Sequence, residues 1–364
     1  MANIMIIGTN MMNIYNHRLE LVKALLEQNH IVSIVAPAGG EEKELISLGV
    51  KFIDTAVDNR GTSLKSDLKL LGTLISILKK ERPDIVLTFY TKTNIYGGIA
   101  CRILKIPYIE NITGLGTAIC NGGLLSKFMV FLYSLALKSA EMVFFQNSQN
   151  LDFFNRTKIR LKDRCLLPGS GVSLLRFKPL PYPKDGPLTF LFISRVLKEK
   201  GIYEYVEAAR QIKKKYPETL FYVIGPYSDE YKEYLQKATQ ENVIIVTGKT
   251  NDVKRFLQMG HCTVFPSFYG EGMANILLES AASGRPVITT NVPGCGEAVE
   301  DGKTGYVVNP RDVHDLELKL EKFISLDRQE KISMGSEGRK KMEREFDRNI
   351  VIQAYLKEIN KILK

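Results

Sequence analysis

The sequence predicts an α/β protein made of two doubly wound, Rossmann-like domains that face a cleft. Short apolar runs alternate with helical patterns, and this alternation restarts after a Pro- and Gly-rich stretch at 168–187. Apolar runs without polar interruption are typical of parallel strands that are buried on both faces. Strands that alternate with helices of about 10–15 residues indicate a parallel sheet. The length of 364 residues is sufficient for two such domains.

The elements can be placed in order along each half of the chain. In the first half we predict strands at 3–8, 30–37, 49–53, 85–90 and 107–112, and helices at 17–28, 66–80 and 94–104. In the second half we predict strands at 188–194, 220–225, 242–248, 262–267, 286–290 and 305–308, and helices at 203–215, 274–283, 312–325 and over most of 328–363. The domain boundaries are accordingly 1–180 and 181–345. Ligands of such sheets bind at the carboxyl ends of the strands.

The charge of the chain is uneven. Residues 1–180 contain 22 Lys and Arg against 14 Asp and Glu, whereas the remainder contains 28 against 26. A basic first half suggests an anionic partner, and a solubilising surface is the alternative. An anionic membrane surface fits this half. A nucleic acid is not expected, because no recognition module accompanies the charge.

The sequence carries no membrane-spanning or metal-binding pattern. Its longest apolar run, Phe128–Leu137, is shorter than the roughly 20 residues that a bilayer requires. The surrounding segment 124–140 is either a core helix or an interfacial helix that touches lipid. The start MANIMIIG resembles no cleavable leader, and the five cysteines form no C-x-x-C pair. We therefore expect a cytoplasmic protein, peripheral on the inner face of the membrane, without a metal site.

The stretch GEGMANILLES at 270–280 follows a predicted strand and opens a helix. Its two glycines allow a tight turn and a close backbone approach. The unpaired amides and the dipole at a helix start favour an anion such as a diphosphate. We expect such an anion at Gly272, Met273, Ala274, Asn275 and Ile276. The alternative is a helix that simply follows a strand.

The stretch SRVLKEKG at 194–201 lies just past the first predicted strand of the second domain. Arg195 and Lys200 would point from the carboxyl end of the sheet toward the ligand. Fixed cations at this position stabilise the negative charge that develops on a leaving diphosphate. An ordinary solvated basic loop is the alternative.

Taken together, these stretches resemble the retaining family 4 glycosyltransferases of the GT-B fold, of the type that assembles bacterial surface polysaccharides and lipid-linked oligosaccharides. SRVLKEKG is similar to the family's Gly-Arg-x4-Lys-Gly element, with Ser194 in the first position. GSGVSLLRFKP at 169–179 is similar to its interdomain segment, with Ser170 and Ser173 replacing Asn and Asp. Glu271 and Glu279 match its Glu-x7-Glu motif, and 283–308 is similar to the segment that follows.

The resemblance implies a role for each matched residue. Arg195 and Lys200 would bind the donor diphosphate, Glu271 would contact the transferred sugar, and Glu279 would hold the nucleotide ribose. Backbone groups near Gly248 would lie beside the base. The family needs no metal or other cofactor, and no Asp-x-Asp occurs in this chain. In the resembled fold the last helix crosses back, so 346–364 is expected on domain one.

Two segments of the first domain follow predicted strands and are expected to line the cleft. One is Gly8-Thr9-Asn10, with Tyr15-Asn16-His17-Arg18 at a helix start. The other, at 110–116, resembles a Thr-Gly-Leu-Gly segment of bacterial enzymes of the same type, some of which use UDP-N-acetylhexosamines. The candidate acceptor or sugar contacts are Asn10, His17, Glu110, Thr113 and Gly114.

The resemblance thus implies metal-independent transfer of a sugar, with retention, from a UDP-sugar to a hydroxyl of a lipid-linked saccharide acceptor. Two other functions stay open at this point. A nucleotide-sugar epimerase has the same fold and acts without an acceptor. A non-catalytic sugar-nucleotide-binding protein is disfavoured by the intact set of Arg195, Lys200, Glu271 and Glu279.

Overall fold

The structure, a computed structural model, describes residues 1–57, 63–114, 119, 122–157, 159–184 and 186–364. Four residues of patterns noted above lie outside these ranges: Leu115, Gly116, Cys120 and Asp185. The chain divides into two compact units, one formed by Met1–Ser170 with Asn349–Lys364 and the other by Gly171–Arg348. Each unit has its own parallel sheet.

The first unit is built on a seven-stranded parallel sheet with the order β3-β2-β1-β4-β5-β6-β7. Its strands are β1 (Asn3–Ile7), β2 (Ile31–Ala36), β3 (Lys51–Asp54), β4 (Ile85–Phe89), β5 (Tyr108–Ile112), β6 (Met142–Phe145) and β7 (Arg164–Leu166). Its helices are α1 (Met11–Glu27), α2 (Glu42–Ser47), α3 (Leu64–Glu81), α4 (Thr91–Leu104), α5 (Gly123–Leu137) and α6 (Ser148–Arg156). The central strands are buried along almost their whole length, as expected for a sheet covered on both faces.

The second unit repeats this plan on a six-stranded parallel sheet with the order β10-β9-β8-β11-β12-β13. Its strands are β8 (Thr189–Ile193), β9 (Leu220–Ile224), β10 (Ile245–Gly248), β11 (Cys262–Phe265), β12 (Val287–Thr290) and β13 (Gly305–Val308). Its helices are α7 (Ile202–Lys215), α8 (Asp229–Gln240), α9 (Val253–Met259), α10 (Asn275–Ala282), α11 (Val313–Ser325) and α12 (Arg328–Glu345). Strand β8 lies near the centre and carries the loop with Arg195 and Lys200.

The linker segment is part of the second unit. The sequence predicts the boundary at residue 180, whereas the N-terminal segment of the first unit ends at Ser170. Val172 and Phe177 are buried in the core of the second unit, and the Val172 amide donates to the Phe346 carbonyl at 2.8 Å. Removing these apolar side chains from water fixes the segment to that unit.

The main helix error concerns α1, which we expected at 17–28 and which begins at Met11. The Asn10 side chain caps it by accepting from the amide of Asn13 at 3.2 Å. The sequence reading also assigned no element to β6, β7, α2, α6, α8 or α9. Most of these elements are short, and β7 has only three residues, so their periodicity is weak.

The last helix, α13 (Arg348–Ile362), packs on the sheet of the first unit. Tyr355 is buried, with its ring centroid 4.6 Å from that of Phe144 and 6.0 Å from that of Phe89. Its hydroxyl accepts a hydrogen bond of 2.7 Å from the side chain of Asn111. The first unit is therefore completed by residues distant in sequence.

Glu110, on β5, is fully buried and faces the helical layer rather than solvent. Neither carboxyl oxygen has a hydrogen-bond partner within the described part of the chain. A Cβ at Gly98 would lie 2.1 Å from one of these oxygens, so Gly98 makes room for the carboxyl group. Burial raises the pKa of Glu110 well above its ordinary value of 4.5. The sequence predicts Glu110 as an acceptor contact, whereas in the structure its carboxyl group is buried against the helical layer.

Among the described residues, no helix has the length and apolar character needed to cross a bilayer. In the same residues, no three His, Cys, Asp or Glu side chains are grouped so that they could hold a metal ion.

Replacing Tyr355 by Ala is expected to destabilise the first unit by about 3–5 kcal/mol, the usual cost of deleting a buried aromatic ring. Tyr355→Phe keeps the ring and removes only the acceptor for Asn111, so we expect a loss of about 1 kcal/mol. Urea unfolding of the full chain, followed by tyrosine fluorescence and circular dichroism, measures both. Equal losses in the two variants would contradict the packing role of the ring.

Replacing Glu110 by Gln is expected to make stability less sensitive to pH. The wild-type carboxyl ionises in the unfolded state above its ordinary pKa of 4.5 but stays neutral in the fold up to its raised pKa. Its contribution to stability is therefore full below pH 4.5 and declines as pH rises. The melting temperature of Glu110→Gln minus that of wild type should increase between pH 5 and pH 8. Glu27→Gln, at an exposed site, is the control, and a flat difference for Glu110→Gln would refute the effect.

Candidate functional site

Arg195 lies on the loop that leaves β8 at the carboxyl edge of the second sheet, and its side chain is exposed. The preceding amide, that of Ser194, donates to the Ile224 carbonyl at 3.0 Å. Gly225 has a φ of +150°, and a Cβ there would be 1.8 Å from the Ser194 carbonyl oxygen. The loop can therefore pass this close to β9 only because residue 225 is a glycine.

Lys200 ends a 3₁₀ turn formed by Lys198–Lys200. Gly201 follows with a φ of +79°, and a Cβ there would be 2.1 Å from the carbonyl oxygen of Pro266. The Glu199 carbonyl accepts from the Ser267 hydroxyl at 3.0 Å and from the Phe268 amide at 3.1 Å. Main-chain contacts thus join the loop after β8 to the loop after β11.

The two joined loops bring together the predicted residues Lys200 and Glu271. The ammonium of Lys200 forms an ion pair and hydrogen bond with Oε1 of Glu271. Both side chains are largely buried, with exposed fractions of 14% and 20%. The sequence indicated each residue separately, but not this pairing.

The turn before α10 is held by main-chain hydrogen bonds. The Glu271 amide donates to the Pro293 carbonyl at 2.9 Å, and the Ala274 amide donates to the Gly294 carbonyl at 2.8 Å. Gly294 has a φ of +78°, and a Cβ there would lie 2.3 Å from the Glu271 carbonyl oxygen. Gly294 is not among the residues predicted from the sequence, although the Pro293-Gly294 pair is a typical signal of a tight turn.

One expectation about the helix start is wrong. The amide of Ala274 was expected to be unpaired, but it already donates to Gly294. The helix begins one residue later, at Asn275, without a side-chain cap. Asn275 and Ile276 belong to the first turn, where amides have no carbonyl partner within the helix. Gly272 and Met273 lie in the turn that leads to them.

Glu279 lies in the second turn of α10 and is half-buried. Burial raises its pKa to about 7, and the nearby positive charges of Arg176 and Arg348 oppose this rise. The carboxyl group is therefore near the midpoint of its titration at neutral pH. Neither arginine was identified from the sequence, because one lies in the linker and the other at the start of α13.

Gly248 ends the edge strand β10 with a φ of +74°, and its carbonyl accepts from the Gly225 amide at 2.8 Å. It is thereby linked to the loop of Arg195. Two hollows adjoin this strand end. One, of about 440 Å³, is lined by residues including Thr247, Lys249 and Phe256, and the other, of about 510 Å³, includes Tyr227 and Gly248.

The candidate acceptor residues lie in the first unit and differ in what they can do. Asn10 is exposed, and its side chain caps α1. His17 lies in the second turn of α1 and not at its start, because the helix begins at Met11. Thr113 and Gly114 follow β5 and are half-buried, and a Cβ at Gly114 would meet open space.

The second unit has the elements of an anion site at one sheet edge. An exposed guanidinium, a lysine held by a carboxylate, and the first turn of a helix follow β8 and β11. Neighbouring parallel strands place such loops side by side at their carboxyl ends. Cations and helix amides are suited to a ligand with two linked phosphates.

Family models match the chain in two segments. The family described as Glycosyl transferases group 1 matches residues 177–341, and the family described as Glycosyl transferase 4-like matches residues 10–147. Each match lies wholly within one of the two units.

Curated relatives match most or nearly all of the chain. One relative is the N,N'-diacetylbacillosaminyl-diphospho-undecaprenol alpha-1,3-N-acetylgalactosaminyltransferase of Campylobacter jejuni. It is 25% identical over an alignment of 369 positions, which covers 97% of this chain and 96% of the relative. The UDP-Gal:alpha-D-GlcNAc-diphosphoundecaprenol alpha-1,3-galactosyltransferase of Escherichia coli is 23% identical over 299 residues, or 78% of this chain and 77% of the relative.

A solved structure has the same fold. Alr3699/HepE of Anabaena, crystallised in complex with UDP, superposes with a TM-score of 0.79 at 16% identity, covering 99% of this chain and 100% of that one. Because two glycosyltransferase family models match most of the chain and both units have the parallel sheets of this fold, the chain belongs to the GT-B glycosyltransferases of the family 4 type.

Proposed function

We propose that this glycosyltransferase moves a sugar, an N-acetylhexosamine, from a UDP-sugar to a hydroxyl of a polyprenyl-diphosphate-linked saccharide, with retention at the anomeric carbon. The observation that carries the proposal is the convergence of Lys200, Glu271 and the start of α10 on two joined loops. This grouping supplies positive charge for a diphosphate and a carboxylate for the sugar next to it.

The donor diphosphate would bind to Arg195, Lys200 and the amides of Asn275 and Ile276. Both cations belong to the loop after β8, and the amides begin α10 after β11. A leaving nucleoside diphosphate gains negative charge in the transition state, which fixed cations stabilise. We propose that these side chains fill the charge-neutralising role, so that transfer needs no metal and no other cofactor.

The nucleoside would extend from the diphosphate toward Glu279 and the end of β10. In its ionised form the Glu279 carboxylate can accept hydrogen bonds from two vicinal ribose hydroxyls. The base would lie near Gly248, where backbone groups and the adjoining hollows offer room. UDP as the nucleotide is supported by the UDP complex of the Anabaena protein and by the UDP-galactose named for the Escherichia coli relative.

The acceptor assignment is supported by the names of two relatives, both of which act on saccharides linked to undecaprenol through a diphosphate. We propose that the leaving phosphate takes the proton of the acceptor hydroxyl as the new glycosidic bond forms on the same face. Glu271 would then stabilise positive charge on the sugar ring and fix its orientation. Thr113, Gly114 and His17 are the candidate acceptor contacts in the first unit.

We also propose that the first unit docks on an anionic membrane surface through α5, at the inner face of the plasma membrane. Leu124, Phe128 and Phe131 follow one another on one face of α5 and are 85%, 42% and 55% exposed. The C-terminal part of α5 is buried at Tyr133, Ala136 and Leu137. Exposed aromatic and aliphatic side chains in a row are typical of interfacial helices.

The charge around α5 favours an anionic lipid surface over a protein partner of mixed charge. Lys127, in the second turn of the helix, and Lys138, which follows its last residue, are both exposed. No Asp or Glu occurs in the sequence between Glu110 and Glu141. Each lysine near anionic lipid contributes roughly 1 kcal/mol of attraction. An acceptor anchored in the bilayer by its polyprenyl chain would be presented at the same surface.

The transfer reaction can be tested with Arg195→Ala and Lys200→Ala. Each variant is expected to lose about 10²-fold or more in rate, since each removes a fixed charge that stabilises the leaving diphosphate. Lys198→Ala is the matched control, because Lys198 is an exposed cation in the same 3₁₀ turn. The readout is UDP release that depends on an added lipid-linked saccharide, with and without EDTA.

Wild-type rates in both variants would exclude the proposed diphosphate site, and loss of activity in EDTA would exclude metal-independent transfer. An altered UDP-sugar formed without any acceptor would indicate an epimerase. Nucleotide binding with no turnover on any acceptor would indicate a binding protein.

Membrane docking can be tested by flotation with vesicles of phosphatidylglycerol and phosphatidylethanolamine. The double change Phe128→Ser and Phe131→Ser is expected to reduce vesicle binding at least tenfold, since each buried phenyl ring contributes about 1.5–3 kcal/mol. Leu318→Ser, at an exposed apolar position of α11 in the second unit, should bind like wild type. Equal binding of the double variant and wild type would exclude α5 as the docking surface.

A further inference from the structure

The Lys200–Glu271 ion pair affects which ligand the proposed donor site binds more tightly. In the structure, the lysine proposed to bind phosphate is already held by a carboxylate of the same protein. Both side chains are largely withdrawn from water. A partly buried pair is screened less than a surface pair, so separating it costs more.

The position of Glu271 is fixed by its backbone. Its amide donates to Pro293, and Gly294 packs directly against its carbonyl group. The backbone of Glu271 therefore belongs to a constrained turn, and its side chain is only 20% exposed. On the other side, the ammonium of Lys200 is 5.7 Å from the centroid of the Phe265 ring, which is buried and offers it no anionic partner.

We propose that Glu271 competes with the donor phosphates for Lys200, so that the site discriminates against free UDP and in favour of UDP carrying a sugar. UDP alone must separate Lys200 from Glu271 and gives the carboxylate nothing in return. A donor that carries a sugar supplies hydroxyl groups to which Glu271 can hydrogen-bond. UDP, the product, therefore binds at the cost of breaking the Lys200–Glu271 ion pair. The UDP-sugar replaces that ion pair with hydrogen bonds between its sugar hydroxyls and Glu271, so it does not bear this cost.

This inference rests on the proposed donor site and adds a specificity role to Glu271. A leaving group whose affinity falls once the sugar has departed is released faster, which limits inhibition by the product. Uniform tight binding of substrate and product would bring no such benefit.

The test is calorimetric titration with UDP and with UDP-N-acetylglucosamine. Glu271→Gln cannot form the ion pair, so it should bind UDP about tenfold more tightly than wild type and UDP-N-acetylglucosamine no more tightly. Glu271→Asp retains the charge but is one methylene too short to keep the contact, so it should also bind UDP more tightly. Glu199→Gln is the control, because it removes an exposed carboxylate next to Lys200 in sequence and should leave both affinities unchanged.

The outcomes separate the inference from the function on which it rests. Tighter UDP binding by Glu271→Gln but not by Glu271→Asp would reveal simple charge repulsion and overturn the competition. Unchanged or weaker UDP binding in both variants, with wild-type melting temperatures, would also overturn it while the donor site stands. Absence of UDP binding by the wild-type protein would overturn both the donor site and the competition.

Discussion

The close approach of main-chain segments at glycines is the constraint on which the proposed donor site depends. Gly201 lies against Pro266, and Gly294 lies against Glu271, at distances that no side chain permits. These contacts join three loops that leave β8, β11 and β12 of the second sheet. Lys200 and Glu271 can therefore meet as an ion pair, and the start of α10 is held beside them. A substitution at either glycine would disturb this arrangement without replacing a charged residue.

The two units use buried polar groups in different ways. In the first unit, successive residues of β5 face opposite layers, so Glu110 is enclosed by helices while Asn111 bonds Tyr355 of α13. In the second unit, the polar groups collect at the carboxyl edge of the sheet, and Glu279 stays near its titration midpoint. The first arrangement stabilises a core, whereas the second holds charge where a ligand can reach it.

Several parts of the fold and site follow directly from the sequence. The buried parallel strands appear as uninterrupted apolar runs, and Arg195, Lys200 and Glu279 follow predicted strands at recognisable spacing. The sequence is less informative where an element is short or depends on a cap. The start of α1 is an example, because the Asn10 cap outweighs the weak apolar pattern before His17.

The sequence by itself determined the fold class and the order of most of the long elements, because these depend on local periodicity. It predicts a donor-side role for Arg195, Lys200, Glu271 and Glu279 from motifs within a few residues. Only the tertiary structure decided that Lys200 pairs with Glu271, that Ala274 is already bonded to Gly294, and that Glu110 is buried. The ion pair and the Ala274–Gly294 hydrogen bond join groups from different segments of the chain, and the burial of Glu110 depends on which face of β5 its side chain occupies. Tertiary packing sets all three.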